Sequence, residues 1–317
     1  MSGATTFAIA IPTFRREQVL LDTIASVLAE CPGVPLLVVD QTPAHEPHVA
    51  TQLAAWVSAG VLQVLTQAPS LTKARNRALR ELRSDVVVFL DDDVVLAPGF
   101  LAAYREAFAP ADVVAAGGRV RVPTPRPWPA RASWPMIRDY HYLDVSSATP
   151  VARVASVRGC NHAVRREAAL AAGGYDETYD GWALREETDL MLRLLWAGGR
   201  VAYVPAADLL HLEAPSGGTR QAPRVSVADV AARFDPVLYF AWRHLYPHGE
   251  FWKDITYRQL REHGGTLLRG AAGGSRVRLA AGFVTALWRS RSRAASRHDR
   301  CPPAVSRALW TSVGPLR

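Results

Sequence analysis

The amino-acid sequence predicts an α/β fold: a mostly parallel central sheet with helices on both faces, followed by a helical C-terminal extension. Three observations predict it. Within residues 7–91, four short runs are apolar throughout and lack the alternation of a half-exposed strand. Stretches of helical period separate them, long enough to cross back over the sheet and make the next strand parallel. Beyond about residue 228 the pattern is helical only.

In chain order, FAIAIP (7–12) is the first strand, followed by a helix from about Glu17 to Ala29. PLLVVD (35–40) is the second, with a helix around 46–58. LQVLT (62–66) is the third, and LTKARNRALREL (71–82) reads as a helix. DVVVFLD (85–91) is the fourth. Ligands of such sheets sit beyond the carboxyl ends of the strands, where loops and helix N-termini collect. Asp40 ends the second strand and Asp91, Asp92 and Asp93 end the fourth, so both acidic sites share one rim. The proline-rich VPTPRPWPARASWP (122–135) cannot be a regular helix or a central strand and reads as an extended connection or flap. The block 151–211 holds the strand-like VASVRGCNHAVR, a glycine-rich break, and the helix REETDLMLRLLWAGG, which stops on a glycine. A short strand then precedes His211. No internal repeat is found.

Composition narrows the class. With 49% hydrophobic and 21% charged residues, a chain of 317 can bury a substantial core. Cys31, Cys160 and Cys301 are scattered and odd in number, which argues against a disulfide framework or zinc knuckle and fits a reducing compartment. No signal peptide is expected, and the apolar stretch LAAGFVTALW (279–288) is too short to span a bilayer, which needs roughly 20 residues. A cytoplasmic protein is expected. The net charge of +8 is a property of the tail: residues 261–317 carry 11 arginines and 2 acidic residues, which leaves the body nearly neutral. Nucleic acid is therefore not an expected partner. The basic segment 276–293 places Val277, Ala280, Val284 and Leu287 on one side, which suits either an interfacial helix at the inner face of a membrane or a helix packed on the body with its arginines solvated.

Three adjacent carboxylates repel, and they have one economical explanation besides an acidic turn before Pro98: they hold a divalent cation, Mn²⁺ or Mg²⁺. Glu186, Glu187 and Asp189 open the later helix, where acids favour the helix dipole; beside a metal site, one of them becomes a candidate general base. His211 is either structural or a ligand for the same metal. EAPSGGTRQAPR (213–224), with Arg220 and Arg224, is either a lid or a plain surface loop. Trp182 is either an acceptor-stacking ring or a buried one.

FAIAIPTFRR, LLVVDQT, LTKARNRAL, VVVFLDDDVVLAPGFL, RGCNHAVRREAALAAGGYDE, REETDLMLRL and His211 occur in this order and spacing. Together they resemble the inverting family-two glycosyltransferases with the GT-A fold, a Rossmann-like arrangement, over residues 7 to about 215. The resemblance implies a catalytic domain over 1–225, its nucleotide-binding half about 1–120 and its acceptor half about 121–225, with 226–317 a helical, basic region. It implies transfer of a hexosyl group from a nucleotide-diphosphate sugar, a UDP-sugar first, to an acceptor hydroxyl on a glycan, lipid-linked or natural-product molecule. Pro12, Thr13 and Arg16 would line the nucleotide pocket, and Asp40 would close its base end. In the DXD-type triplet Asp92 would contact the ribose and Asp93 the metal, with Asp91 and His211 as further ligands. Lys73 and Arg75 would contact the donor. Glu187 would be the base, and Glu186 and Asp189 would position the acceptor or support the loop. Two departures stand out: Gln41 replaces the family's second acid after the second strand, which leaves the donor base open, and the Glu-Asp pair is Glu186-Glu187 here. The alternative from another class is a catalytically silent scaffold that uses its basic tail at a membrane or nucleic acid.

Overall fold

The computed structural model describes residues 4–124, 145–179, 181–218, 226–246 and 275–296. Most of the proline-rich passage, Arg220, Arg224 and Cys301 lie outside the described residues.

The first half follows the expected βα alternation. Strands β1 (Phe7–Thr13), β2 (Leu36–Asp40), β3 (Gln63–Thr66) and β4 (Val86–Leu90) alternate with helices α1 (Gln18–Glu30), α2 (Pro47–Ser58) and α3 (Leu71–Glu81). The strands pair in parallel in the order β3-β2-β1-β4. β1, β2 and β4 are buried at every position, as unbroken apolar runs require. Helix α1 lays Leu20, Ile24 and Val27 on the sheet, the i, i+4, i+7 stripe of a covering helix.

The second half is mixed. Strands β5 (Val94–Leu96), β6 (Val113–Arg121), β7 (Asn161–Arg165) and β8 (Arg200–His211) extend the sheet to eight strands in the order β3-β2-β1-β4-β7-β6-β8-β5. β7 is antiparallel to both neighbours and β5 is antiparallel to β8, while β6 and β8 run parallel. Helices α4 (Phe100–Ala107), α5 (Arg166–Ala171) and α6 (Glu186–Trp196) flank it. Of VASVRGCNHAVR, only 161–165 is strand. The residues before it are apolar because Val154, Ala155 and Val157 are buried, with Val157 on the open face of Gly117. Helix α6 ends in a Schellman motif: Gly198 has φ of 90°, and the Gly198 and Gly199 amides donate to the Leu195 and Leu194 carbonyls.

β8 is longer than expected, with 12 residues, and its register against β6 breaks between Val204 and Asp208. Pro205 lies in the break, where no ladder donor is needed. Asn161 fills the bulge: its Nδ2 donates to the Arg119 and Ala207 carbonyls, and its Oδ1 accepts from Tyr104. A Cβ on Gly118 would stand 2.2 Å from the Ala207 carbonyl oxygen, so only glycine fits there. Beyond the bulge, residues 209–211 pair with β5, which sets His211 opposite Val94.

The described residues of the C-terminal region are helical, as expected. Helix α7 (Val227–Phe240) starts at a capping box formed by Ser226 and Asp229 and runs into a π-helical turn, Ala241–Leu245. Helix α8 (Ser275–Ala295) packs along α7 through Gly282, Phe283, Ala286, Ser290 and Ala294. Gly282 rests on Val230, and Phe283 meets Phe234 edge-to-face at 5.2 Å. Of the stripe singled out from the sequence, Val277, Ala280 and Val284 face outward, while Leu287 is partly buried against the core. Cys31 and Cys160 are buried free thiols, and burial pushes Cys31 up to about 11.

Candidate active site

The acidic triplet leaves the end of β4 directly, and the loop beyond β8 folds back on it. Asp93 is the hub. Its carbonyl accepts from the Leu212 amide, its Oδ2 accepts from the Ala214 amide at 2.8 Å, and its Oδ1 lies 3.0 Å from His211 Nε2. Burial alone would raise the Asp93 carboxyl, but His211, the Ala214 amide and Arg16 together hold it below the ordinary carboxylate range. Asp91, about a third exposed, points its Oδ2 to within 3.9 Å of the same imidazole nitrogen. Ligand atoms of Asp91, Asp93 and His211 all lie within 4.8 Å of one another, the one cation-type cluster among the described residues. Two carboxylates and an imidazole suit a divalent ion of the Mn²⁺ or Mg²⁺ kind and relieve the triplet's repulsion. Beneath them, Thr23 Oγ1 bridges the Asp92 and Val94 carbonyls and accepts from the Val94 amide, tying the triplet to α1.

Asp92 faces the first strand. It accepts from Thr13 Oγ1 at 2.8 Å, from the Phe14 amide and from Arg16 Nε at 3.1 Å. Burial pushes its carboxyl up to about 7 against the pull of Arg16 and Thr13. Arg16 also reaches Asp93 at 3.3 Å and the Ser216 carbonyl, so one guanidinium clamps the triplet to the loop after β8. That loop is seated: the Gly218 amide donates to the Phe14 carbonyl, and a side chain at Gly217 would strike the Arg15 carbonyl.

At the other side of the rim, Pro12 is buried in β1, and Asp40 accepts from the Thr42 amide and lies 2.9 Å from His45 Nε2. His45 reaches Glu17 through its other nitrogen, so a His bridge that the sequence did not reveal braces Asp40. Gln41 is buried and engaged at both ends: Nε2 donates to the Thr13 carbonyl, and Oε1 accepts from the Ser70 amide at 2.6 Å. It knits β1 to the start of α3. Lys73 is exposed on α3.

Arg75, on the same helix, is buried and turned inward. It contacts Glu186, donates to the Gly159 carbonyl at 3.0 Å, lies 3.9 Å from Asp91, and stacks on Phe89 and Tyr175. It links the acid pair to the triplet. Burial raises the Glu186 carboxyl, opposed by this guanidinium, and Glu186 Oε2 is buried with no partner among the described residues. Glu187, half-buried, lies next to it at the start of α6. Ala183 (φ 46°) and Arg185 (φ 78°) set the turn into α6 in left-handed conformations, each costing about 1 kcal/mol or more. Asp189 does not join the rim. It is fully buried among Arg193, Arg243 and His244, and so fastens α6 to the C-terminal helices. Trp182 lies 5.0 Å from the Arg233 guanidinium of α7.

Comparison with known proteins bears on the family and the fold. No curated protein matches by sequence. Solved structures share the fold, among them two glycosyltransferase complexes. One is GalNAc-T7 with UDP, GalNAc and Mn²⁺, at TM-score 0.57 and 17% identity over 77% of this chain. This chain spans 51% of that protein's length. The other is the mannosyltransferase PcManGT from Pyrobaculum calidifontis, in complex with GDP-Man and Mn²⁺, at TM-score 0.52 and 16% identity over 98% of this chain and 80% of that one. The family profile "Glycosyltransferase like family 2" matches residues 4–230, more than two thirds of the sequence, and the chain belongs to that family, on a GT-A fold.

Proposed function

We propose that the chain is a metal-dependent, inverting glycosyltransferase that moves a hexosyl group from a nucleotide-diphosphate sugar to an acceptor hydroxyl. One observation carries the reading: Asp91, Asp93 and His211 converge on one point of the rim, and Arg75 links that point to the acid pair. A Mn²⁺ or Mg²⁺ ion held there would neutralise charge on the departing diphosphate. The protein's own groups do the rest. Thr13, Arg16 and Asp92 form the wall against which the nucleoside binds, and Asp40, braced by His45, lies toward its base. Glu187 takes the acceptor's hydroxyl proton at its carboxylate, and displacement from the opposite face inverts the anomeric carbon. Glu186, held by Arg75, positions its neighbour.

With Gln41 tied to Thr13 and Ser70, UDP is the first nucleotide to test and GDP the second, the nucleotides of the donors in the two similar structures. A thermal-shift panel of UDP, GDP, dTDP and CDP, with and without Mn²⁺, tests the reading. At a hundredfold excess over Kd the bound nucleotide adds about 2.7 kcal/mol. Metal-dependent stabilisation by one nucleotide supports the proposal. No response to any of them would leave a silent scaffold as the better reading. Glu187→Gln should keep nucleotide binding and lower transfer by about 10²- to 10⁴-fold.

A further inference from the structure

We infer that the outward face of α8 is a docking surface for an anionic lipid bilayer, a property separate from the nucleotide site. The helix packs on α7 through one side only, at Gly282, Ala286, Ser290 and Ala294. The opposite side carries Val277, Val284 and Trp288, which are 75%, 62% and 71% exposed. Their spacing of seven and four residues places them in one line, about 16 Å long. Large apolar side chains in a row, left in water by a helix that is otherwise well docked, need a cover.

Charge selects the cover. The 21 residues of α8 contain five arginines and no acidic residue. Arg293 is turned inward to Asp235 and the Thr178 carbonyl, and Arg291 lies over Trp242 at 5.6 Å. Arg278 and Arg289 stand exposed beside the apolar line. Aliphatic side chains and an indole flanked by guanidinium groups match the boundary between acyl chains and anionic headgroups. A second copy of the same face would bring arginines against arginines, and valines contribute nothing to a phosphate backbone, so neither self-association nor RNA explains the pattern as well. No described helix is long and apolar enough to cross a membrane, so the contact is peripheral. The α7–α8 pair also touches the segment that leads into the acid pair, through Arg233 over Trp182 and Arg293 on the Thr178 carbonyl. Docking would therefore present the acceptor side of the protein near the bilayer.

Co-sedimentation of the full-length protein with phosphatidylcholine vesicles, with and without phosphatidylglycerol, tests this. Binding is expected only with the anionic lipid and should weaken with salt. Arg278→Ser and Arg289→Ser should each lower binding about fivefold, and Trp288→Ala or Val284→Asp should lower it at least as much. The melting temperature should stay unchanged in all four, because each side chain points outward. Brominated lipid should quench a fluorescence component that Trp288→Ala removes. Equal binding to both vesicle types, binding indifferent to these variants, or no binding overturns the proposal. So does retention of RNA without vesicles, or a dimer that Trp288→Ala abolishes in a protein that ignores vesicles. None of these outcomes depends on nucleotide binding.

Discussion

Asp189→Asn should cost far more than the loss of one hydrogen bond. Asp189 is fully buried and accepts from Arg193 Nε at 2.9 Å and Nη2 at 2.6 Å, with His244 Nε2 at 2.7 Å and Arg243 Nη1 at 3.2 Å. Burial alone would raise its carboxyl; the two guanidinium groups and the imidazole hold it well below the usual range instead. Asparagine keeps the volume but removes the charge, and its NH₂ must face one of these donors. Arg193 is then left with the Ala172 carbonyl, while Arg243 retains Asp176. Breaking a buried ion pair costs about 3–5 kcal/mol, and the retained Asp176 places this case near 3. Urea unfolding at pH 7.5 should show a lower midpoint with an unchanged slope, and the melting temperature should fall by about 6 °C. A loss under about 1 kcal/mol would falsify the claim that this carboxylate fastens α6 to the C-terminal helices.

Other consequences follow from the same contacts. His162 and His244 are buried and held neutral below the ordinary histidine value, burial being the first cause in both. Their contribution to stability is complete above about pH 6.5 and is lost as pH falls toward their folded values, at up to about 2.7 kcal/mol per pH unit for the two together. Asp92 and Glu186, whose carboxyls burial raises, pull the total slope the other way, so the test is the difference between wild type and His244→Gln in urea titrations between pH 7.5 and 5. Wild type should lose up to about 1.4 kcal/mol per pH unit more than the variant, and identical slopes count against it. Gly118→Ala forces a Cβ against the Ala207 carbonyl and should cost about 2–3 kcal/mol. Because the bulge aligns His211, it should also weaken Mn²⁺-dependent nucleotide binding, measured by calorimetry; a destabilised variant with normal metal dependence would separate the bulge from the site. Asp93→Asn and His211→Ala should abolish the Mn²⁺ dependence of nucleotide stabilisation, and a retained response in both rules out the proposed ligand set.

The sequence alone determined the parallel half of the sheet, because strands buried on both faces must be apolar throughout, and β1, β2 and β4 are. It also determined that Asp40 and the triplet share a rim, since parallel strands end on the same side. It signalled the helix opened by Glu186 and its glycine stop. Hydrophobic pattern could not distinguish a strand from a buried coil, so 154–165 read as strand-like although only 161–165 forms a strand. Nor could it see what long-range contacts set. The bulge around Pro205 depends on Gly118 and Asn161, far away in sequence, and that bulge brings His211 to Asp93. The roles of Arg75, His45 and Asp189 were likewise decided by neighbours between 4 and 111 residues distant. A charged side chain's type is written in the chain, but its partner is chosen by how the helices pack. Even the outward turn of Val277 and Val284 was a tertiary decision: α8 carries two faces, and the close approach at Gly282 selected which one met α7.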